Sequence, residues 1–106
     1  MITKTLTANG STPWVEFQGQ GSISCIGTFN SGTVTLEISD DSGTTPITLK
    51  NPDGSGADYE ITANDTINIS RGNCLLRATV VGASPAPSLT LVFKMLKPEN
   101  TILVPN

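Results

Sequence analysis

An alternation of apolar and polar side chains, repeated in short runs along the chain, most constrains its fold. It is clearest in Thr33–Ser39, where Val34, Leu36 and Ile38 alternate with polar residues. Because successive side chains of a strand point to opposite faces, such a run predicts a half-buried β-strand. No stretch keeps the spacing of an amphipathic helix. The same period of two recurs at Ile23 and Cys25, Ile47 and Leu49, Tyr59 and Ile61, Ile67 and Ile69, and in residues 74–80 and 89–95.

Clusters of Gly, Pro, Asn, Asp and Ser, the residue types that favour turns, separate these runs. The chain is therefore predicted to be all-β, with about eight short strands. We expect two packed antiparallel sheets, a β-sandwich of jelly-roll or Ig-like type, because a single open sheet would leave its apolar face in water. The predicted turns lie at residues 30–32, 40–43, 51–54, 71–73 and 84–87.

A length of 106 residues fits one domain with one core. We assign residues 1–97 to a single β-sandwich domain. Residues 98–106 follow as an extended arm or a last edge strand, since an apolar run here lies between Pro98 and Pro105. An arm would add to the sheet edge of a neighbouring subunit. The residues of this segment predicted to contact a partner are Ile102, Leu103, Val104 and Pro105.

Trp14, the only tryptophan, is the other predicted partner contact. If its segment is extended, Trp14 lies on the opposite face from Val15 and Phe17, beside Glu16, and points outward. The alternative is an irregular segment that places Trp14 in the core.

Composition excludes several classes of function. A net charge of −3 with six Lys and Arg gives no electrostatic footprint for nucleic acid. No apolar run reaches the roughly 20 residues of a membrane span, so a membrane partner is not expected. The first ten residues lack the pattern of a signal peptide, which predicts synthesis in the cytoplasm. The absence of His removes the commonest general base and zinc ligand, so neither an enzyme nor a cofactor is expected.

The two cysteines, Cys25 and Cys74, both fall on apolar strand faces. They are predicted to be free, buried thiols, because an unpaired Cys commonly packs as a small apolar residue. The alternative is a disulfide between the two sheets, as in immunoglobulin domains. The Trp and Tyr that accompany that disulfide are missing from the corresponding positions here.

Two loops carry acidic residues that admit a chemical interpretation. Asp41-Ser42-Gly43-Thr44 resembles the Asp-Ser/Thr-Gly motif of dimeric retroviral-type aspartic proteases, in which Asp41 would supply one of two carboxylates. A polar hairpin turn uses the same residues, and it is the preferred interpretation. Residues 53–58 space two Asp as in a calcium loop, but the further acidic positions and the closing Glu of an EF-hand loop are missing, so a solvated turn is the preferred interpretation.

Residues 27–39 form a Gly-Thr-Phe turn and an alternating strand, followed by Asp41, Gly43 and Thr44. Residues 76–82 form a Leu-Arg-Ala-x-Val strand that ends in Gly. Together these segments resemble a pattern of small virion proteins of tailed bacteriophages, although Pro46 stands near the place of a bulky residue in that pattern. The resemblance implies a structural component of the particle: a capsid decoration (cement) protein, a head-fibre base or a tail accessory domain.

For partners, the resemblance implies a homo-oligomer, with a trimer favoured, bound to the major capsid protein or another virion protein. The expected location is then the capsid surface of the virion. A different class remains open, a ligand-binding β-sandwich such as a carbohydrate-recognising adhesin module, and a protease using Asp41 comes third.

Overall fold

A computed structural model describes residues 1–95. The predictions for residues 98–106, with Ile102, Leu103, Val104 and Pro105, therefore lie outside the described residues. Within residues 1–95 the chain forms antiparallel strands and no helix, and thus none that could cross a membrane. This confirms the all-β antiparallel prediction. The strands are β1 (Ile2–Leu6), β2 (Gly10–Ser11), β3 (Val15–Thr28), β4 (Thr33–Ser39), β5 (Ile47–Thr48), β6 (Glu60–Ile61), β7 (Asp65–Val81) and β8 (Ser88–Met95).

The strands belong to one hydrogen-bonded network in the order β1-β8-β3-β7-β4-β5, with β2 added to β7 and β6 added to β4. Two long strands hold this network together. The first residues of β3 pair with the middle of β7, so that Val15 lies opposite Leu76. The later residues of β3 lie between β8 and the first part of β7, so that Gly21 lies opposite both Met95 and Ile69. The β3–β7 ribbon thus joins the two halves of the sheet.

The turn predicted at residues 71–73 is wrong, and so is the prediction that all strands are short. β7 continues through these residues for 17 residues in total, and β3 has 14. The register of the pair shifts between Phe17 and Gly19, close to this point. Such a bulge lets a strand bend while its ladder continues, so the polar residues 71–73 mark a bend and not a turn.

The alternating pattern also predicts the wrong burial for three residues. The pattern predicts Ser39 on the polar face, yet it is buried. Its hydroxyl is satisfied there, because it donates to Asp41 Oδ1 at 2.8 Å and accepts from the Gly43 N–H at 2.8 Å. The pattern predicts Ile47 and Met95 on apolar faces, yet 55% and 40% of their surfaces are exposed. Both lie at or near a strand end, where fewer neighbours cover a side chain.

The core is built from the inward face of each strand. β4 and β7 pair so that Leu36 lies opposite Ala78 and Ile38 opposite Leu76, and all four side chains are buried. Burying a side chain of this size stabilises the fold by about 1.5–3 kcal/mol. The largest fully buried apolar side chains are Phe17, Phe93, Ile23, Leu36, Ile61, Leu76, Leu89 and Leu91.

The turn from β3 into β4 is fastened to the loop before β8. The Asn30 side-chain amide donates to the Ala86 carbonyl at 2.9 Å, and the Asn30 carbonyl accepts from the Ser84 N–H at 3.0 Å. Gly27 has a φ of 136° and lies against the Ser88 carbonyl, so only glycine fits there. The start of β4 is therefore fixed relative to β8.

Candidate interaction surface

Trp14 lies outside the core, half-buried against the outer side of β7. The guanidinium carbon of Arg77 is 4.4 Å from the centroid of the indole ring, a cation–π geometry. Arg77 Nε also donates to Glu37 Oε1 at 2.6 Å. The Thr79 hydroxyl donates to the same carboxylate oxygen at 3.0 Å and bonds the Ser11 hydroxyl at 2.7 Å. We call these five residues the Trp14 cluster.

The Trp14 cluster joins segments that are distant in sequence. The side chains of Arg77 and Glu37 are only 25% and 19% exposed, so their ion pair is shielded from water more than a typical surface pair. Gly43, in the loop after β4, also lies against Trp14, since a Cβ added to Gly43 would be 2.9 Å from Trp14 Nε1. Trp14 therefore ties the loop after β4 to the centre of the sheet, and its placement leaves the predicted partner contact as a prediction.

We expect Arg77→Ala to lower the free energy of unfolding by about 2 kcal/mol, because it leaves the Glu37 carboxylate without its charged donor and removes the cation–π contact. The measurement is urea unfolding followed by Trp14 fluorescence, whose emission should also move to longer wavelength. Arg71→Ala, an exposed Arg of the same strand, is the control and should change stability by less than about 0.5 kcal/mol. Equal effects of the two variants would contradict a structural role for the cluster.

Asp41 stabilises the loop after β4. Its carboxylate accepts from the Thr45 N–H at 2.8 Å and from the Ser39 hydroxyl at 2.8 Å. Hydrogen bonds from the Thr45 hydroxyl and N–H, and then from Ser39, lower the pKa of Asp41 to about 2. Such hydrogen bonds within the loop are those expected of a polar hairpin turn, the preferred interpretation of residues 41–44. The protease alternative, which needs a second carboxylate from another chain, stays a prediction.

We expect the Asp41 carboxyl to titrate with a midpoint near pH 2, measured from its side-chain carbon resonance by NMR. Because its folded pKa lies below the ordinary value of 3.8, its contribution to stability is present above pH 3.8 and is lost as the pH falls through 2. Thr45→Val, which keeps the N–H and removes the hydroxyl, should move the midpoint upward. A midpoint near 3.8 in the unmodified chain would show that the loop hydrogen bonds do not form.

Cys25 and Cys74 are both free and buried, as predicted, and the alternative disulfide is not formed. Burial, with the nearby Asp65 carboxylate as a second cause, raises the pKa of Cys25 to about 11. Burial also raises the pKa of Cys74. Since the thiolate is the reactive form, both thiols serve packing and are poor nucleophiles.

The acidic residues of the 51–58 loop act within the loop and at its base. Asp53 Oδ1 accepts from the Ser55 N–H at 2.8 Å, and Asp58 pairs with Lys50 at 2.6 Å. No cluster of three potential metal-ligating side chains occurs in residues 1–95. Just beyond this loop, the Tyr59 hydroxyl donates to Asp65 at 2.5 Å, which raises the pKa of Tyr59 to about 12.

Sequence reasoning missed one surface feature, a groove between the 49–52 segment and the first part of β7. Its volume is about 200 Å³. We call it the β7 edge groove. Its signal in the sequence is the uncharged, alternating run of residues 66–70, which by itself predicts only a strand. The groove is lined by Leu49, Lys50, Pro52, Ile67, Asn68, Ile69, Ser70 and Arg71.

Comparison of the chain with protein families, with curated proteins and with solved structures found no match. Any assignment of function therefore depends on the chain's own residues and on the resemblance stated above.

Proposed function

We propose that the chain is a non-enzymatic structural protein of a virion, of the capsid decoration type, which oligomerises and binds the head surface. The two segments that carry the resemblance, residues 27–44 and 76–82, are distant in sequence. In the fold they meet, because Val34 of β4 pairs with Val80 of β7 and Leu36 with Ala78. This pairing is the observation that carries the proposal, since it brings the two segments of the resemblance together in the core of the fold.

The way polar groups are used also supports a structural role. Asp41, Glu37 and Asp65 each accept hydrogen bonds from neighbouring side chains, and these contacts fasten loops and strands. The two thiols are buried. A chain whose acidic and sulfur groups are used in this way is suited to holding a rigid shape for a partner.

The proposal is tested by purifying virus particles from the source of the chain on a density gradient and measuring their composition by peptide mass spectrometry. We expect the chain to sediment with the particles in a fixed ratio to the major capsid protein. Particles from which it has been stripped should release their DNA at lower temperature and recover when the purified chain is added back. A chain that stays at the top of the gradient and has no effect on heated particles would contradict the proposal.

A further inference from the structure

We propose that the free edge of β7 in residues 66–70 accepts residues 101–105 of a second copy of this chain as an added strand. The inference rests on the proposed function, because it names the contact through which the copies would associate. Strand addition satisfies the backbone of an exposed edge and uses side-chain pockets for specificity.

Among the described residues, the first part of β7 has a strand on one side only. Residues 65–71 pair with β3, whereas β4 joins β7 only from Leu75 onward. Within residues 1–95, no strand lies along the other side of residues 65–73. Backbone N–H and C=O groups on such an edge can pair with another extended chain.

Three other edges of the sheet carry features that discourage pairing. The edge strand β1 turns the half-buried Lys4 toward the core side, opposite Leu91. The opposite edge strand, β5, is two residues long and follows Pro46. The open side of the first part of β3 carries Glu16 and ends at the bulge. Inward charges, short strands, prolines and bulges are the devices by which proteins protect edges, and residues 66–70 have none of them.

The β7 edge groove supplies apolar contacts along this unprotected edge. Ile67 is half-buried and Ile69 is buried, and Leu49 and Pro52 stand on the facing wall. A second depression, of about 390 Å³, continues from the groove, since the two share Asn68, Ile69 and Ser70. An extended segment laid along the edge could therefore bury alternate apolar side chains.

The chain itself contains a segment of matching chemistry outside the described residues. Residues 101–104 read Thr-Ile-Leu-Val, all strand-favouring or strongly apolar, and Pro98 and Pro105 bound the run. In an extended segment Ile102 and Val104 share one face, which would meet the groove, while Leu103 shares the other face with Asn68. Residues 101–105 match in length the five uncharged residues of the edge.

Topology favours a second copy over the same chain. Met95 lies opposite Gly21, which lies opposite Ile69, so Met95 is about 10 Å from β7, on the far side of β3. β3 and β7 both continue past this point, so the same chain would have to cross the face of both strands to reach the free edge. Donor and acceptor are different surfaces, so the contact can close a ring of three copies.

The test is directed disulfide formation between two full-length variants, Asn68→Cys and Leu103→Cys, with one copy isotopically labelled. The matched control replaces Asn68→Cys with Thr5→Cys, an exposed position in edge strand β1. Both native thiols are buried, so the added ones should react first. Under mild oxidation we expect the pair of Asn68→Cys and Leu103→Cys to give the linked dimer as its main product. The control pair of Thr5→Cys and Leu103→Cys should give little or none of it.

No linked dimer, or equal yields with both edge positions, would overturn the inference. A chain carrying both Asn68→Cys and Leu103→Cys that closes its disulfide internally at every dilution would overturn it as well, since the segment would then dock on its own copy. Gradient analysis of particles separates this outcome from the proposed function. If particles retain the chain but the cross-link does not form, only the inference is contradicted. If the chain forms the cross-link but is absent from particles, the proposed function is contradicted.

Discussion

Gly21→Ala is expected to lower the free energy of unfolding by about 4 kcal/mol or more. Gly21 lies in β3 between two partner strands, opposite Met95 and Ile69. A Cβ there would collide with the Lys94 carbonyl oxygen and approach Phe17 Cζ to 2.9 Å. Because the carbonyl belongs to a paired backbone, relief requires β8 to move away from β3, which breaks ladder hydrogen bonds. A marginally stable domain of this size has only about 5–15 kcal/mol in total.

Gly72→Ala is the matched control for this prediction. Gly72 also lies within a long strand, but an added Cβ would meet nothing within 4 Å. Its stability should be unchanged or rise by up to about 1 kcal/mol, because alanine restricts the unfolded chain. Both variants are measured by urea unfolding, and soluble yield is recorded in case Gly21→Ala does not fold. Equal stability of the two variants would show that β8 does not approach β3 as closely as described.

Phe93→Ala is expected to lower the free energy of unfolding by about 3–5 kcal/mol. Phe93 is 1% exposed and lies in β8 opposite Ile23 and Ile2, so truncation removes a large apolar side chain and leaves a cavity. Neighbouring strands cannot collapse into that space without distorting their pairing.

Met95→Ala, two residues along the same strand, provides the comparison. Met95 is 40% exposed, and its truncation should cost less than about 1 kcal/mol. Thermal unfolding of both variants, monitored by circular dichroism, gives the loss of stability caused by each substitution. If Met95→Ala destabilised the chain as much as Phe93→Ala, the core would have to include the end of β8.

Local pattern predicted those elements whose side chains alternate without interruption. β4 and β8 are buried at their predicted apolar positions apart from Met95 at the end of β8, and both cysteines are buried where the alternation predicts. β1 was missed because its inward face contains Lys4 between Ile2 and Leu6, so a charge interrupts the apolar pattern. The same lysine protects the edge.

Features that depend on contacts between distant residues could not be predicted. Whether residues 71–73 turn or bend depends on their pairing with Phe17 and Gly19 of β3, about fifty residues earlier in the chain. Trp14 is paired with Arg77, and no local signal connects the two. The free edge of β7 is likewise a property of which strands lie beside it. The sequence thus predicts which segments form strands. It does not predict which strands lie beside each other, and therefore does not predict the candidate surface.

The central claim is that this chain works by associating with copies of itself and with a particle, through its surface and strand edges. Sedimentation equilibrium of the full-length chain over a wide concentration range tests the first part most directly. The account predicts a single closed oligomer, with the mass of a trimer, that persists on dilution. A mass of 11.1 kDa at every concentration, that of one chain, would contradict it.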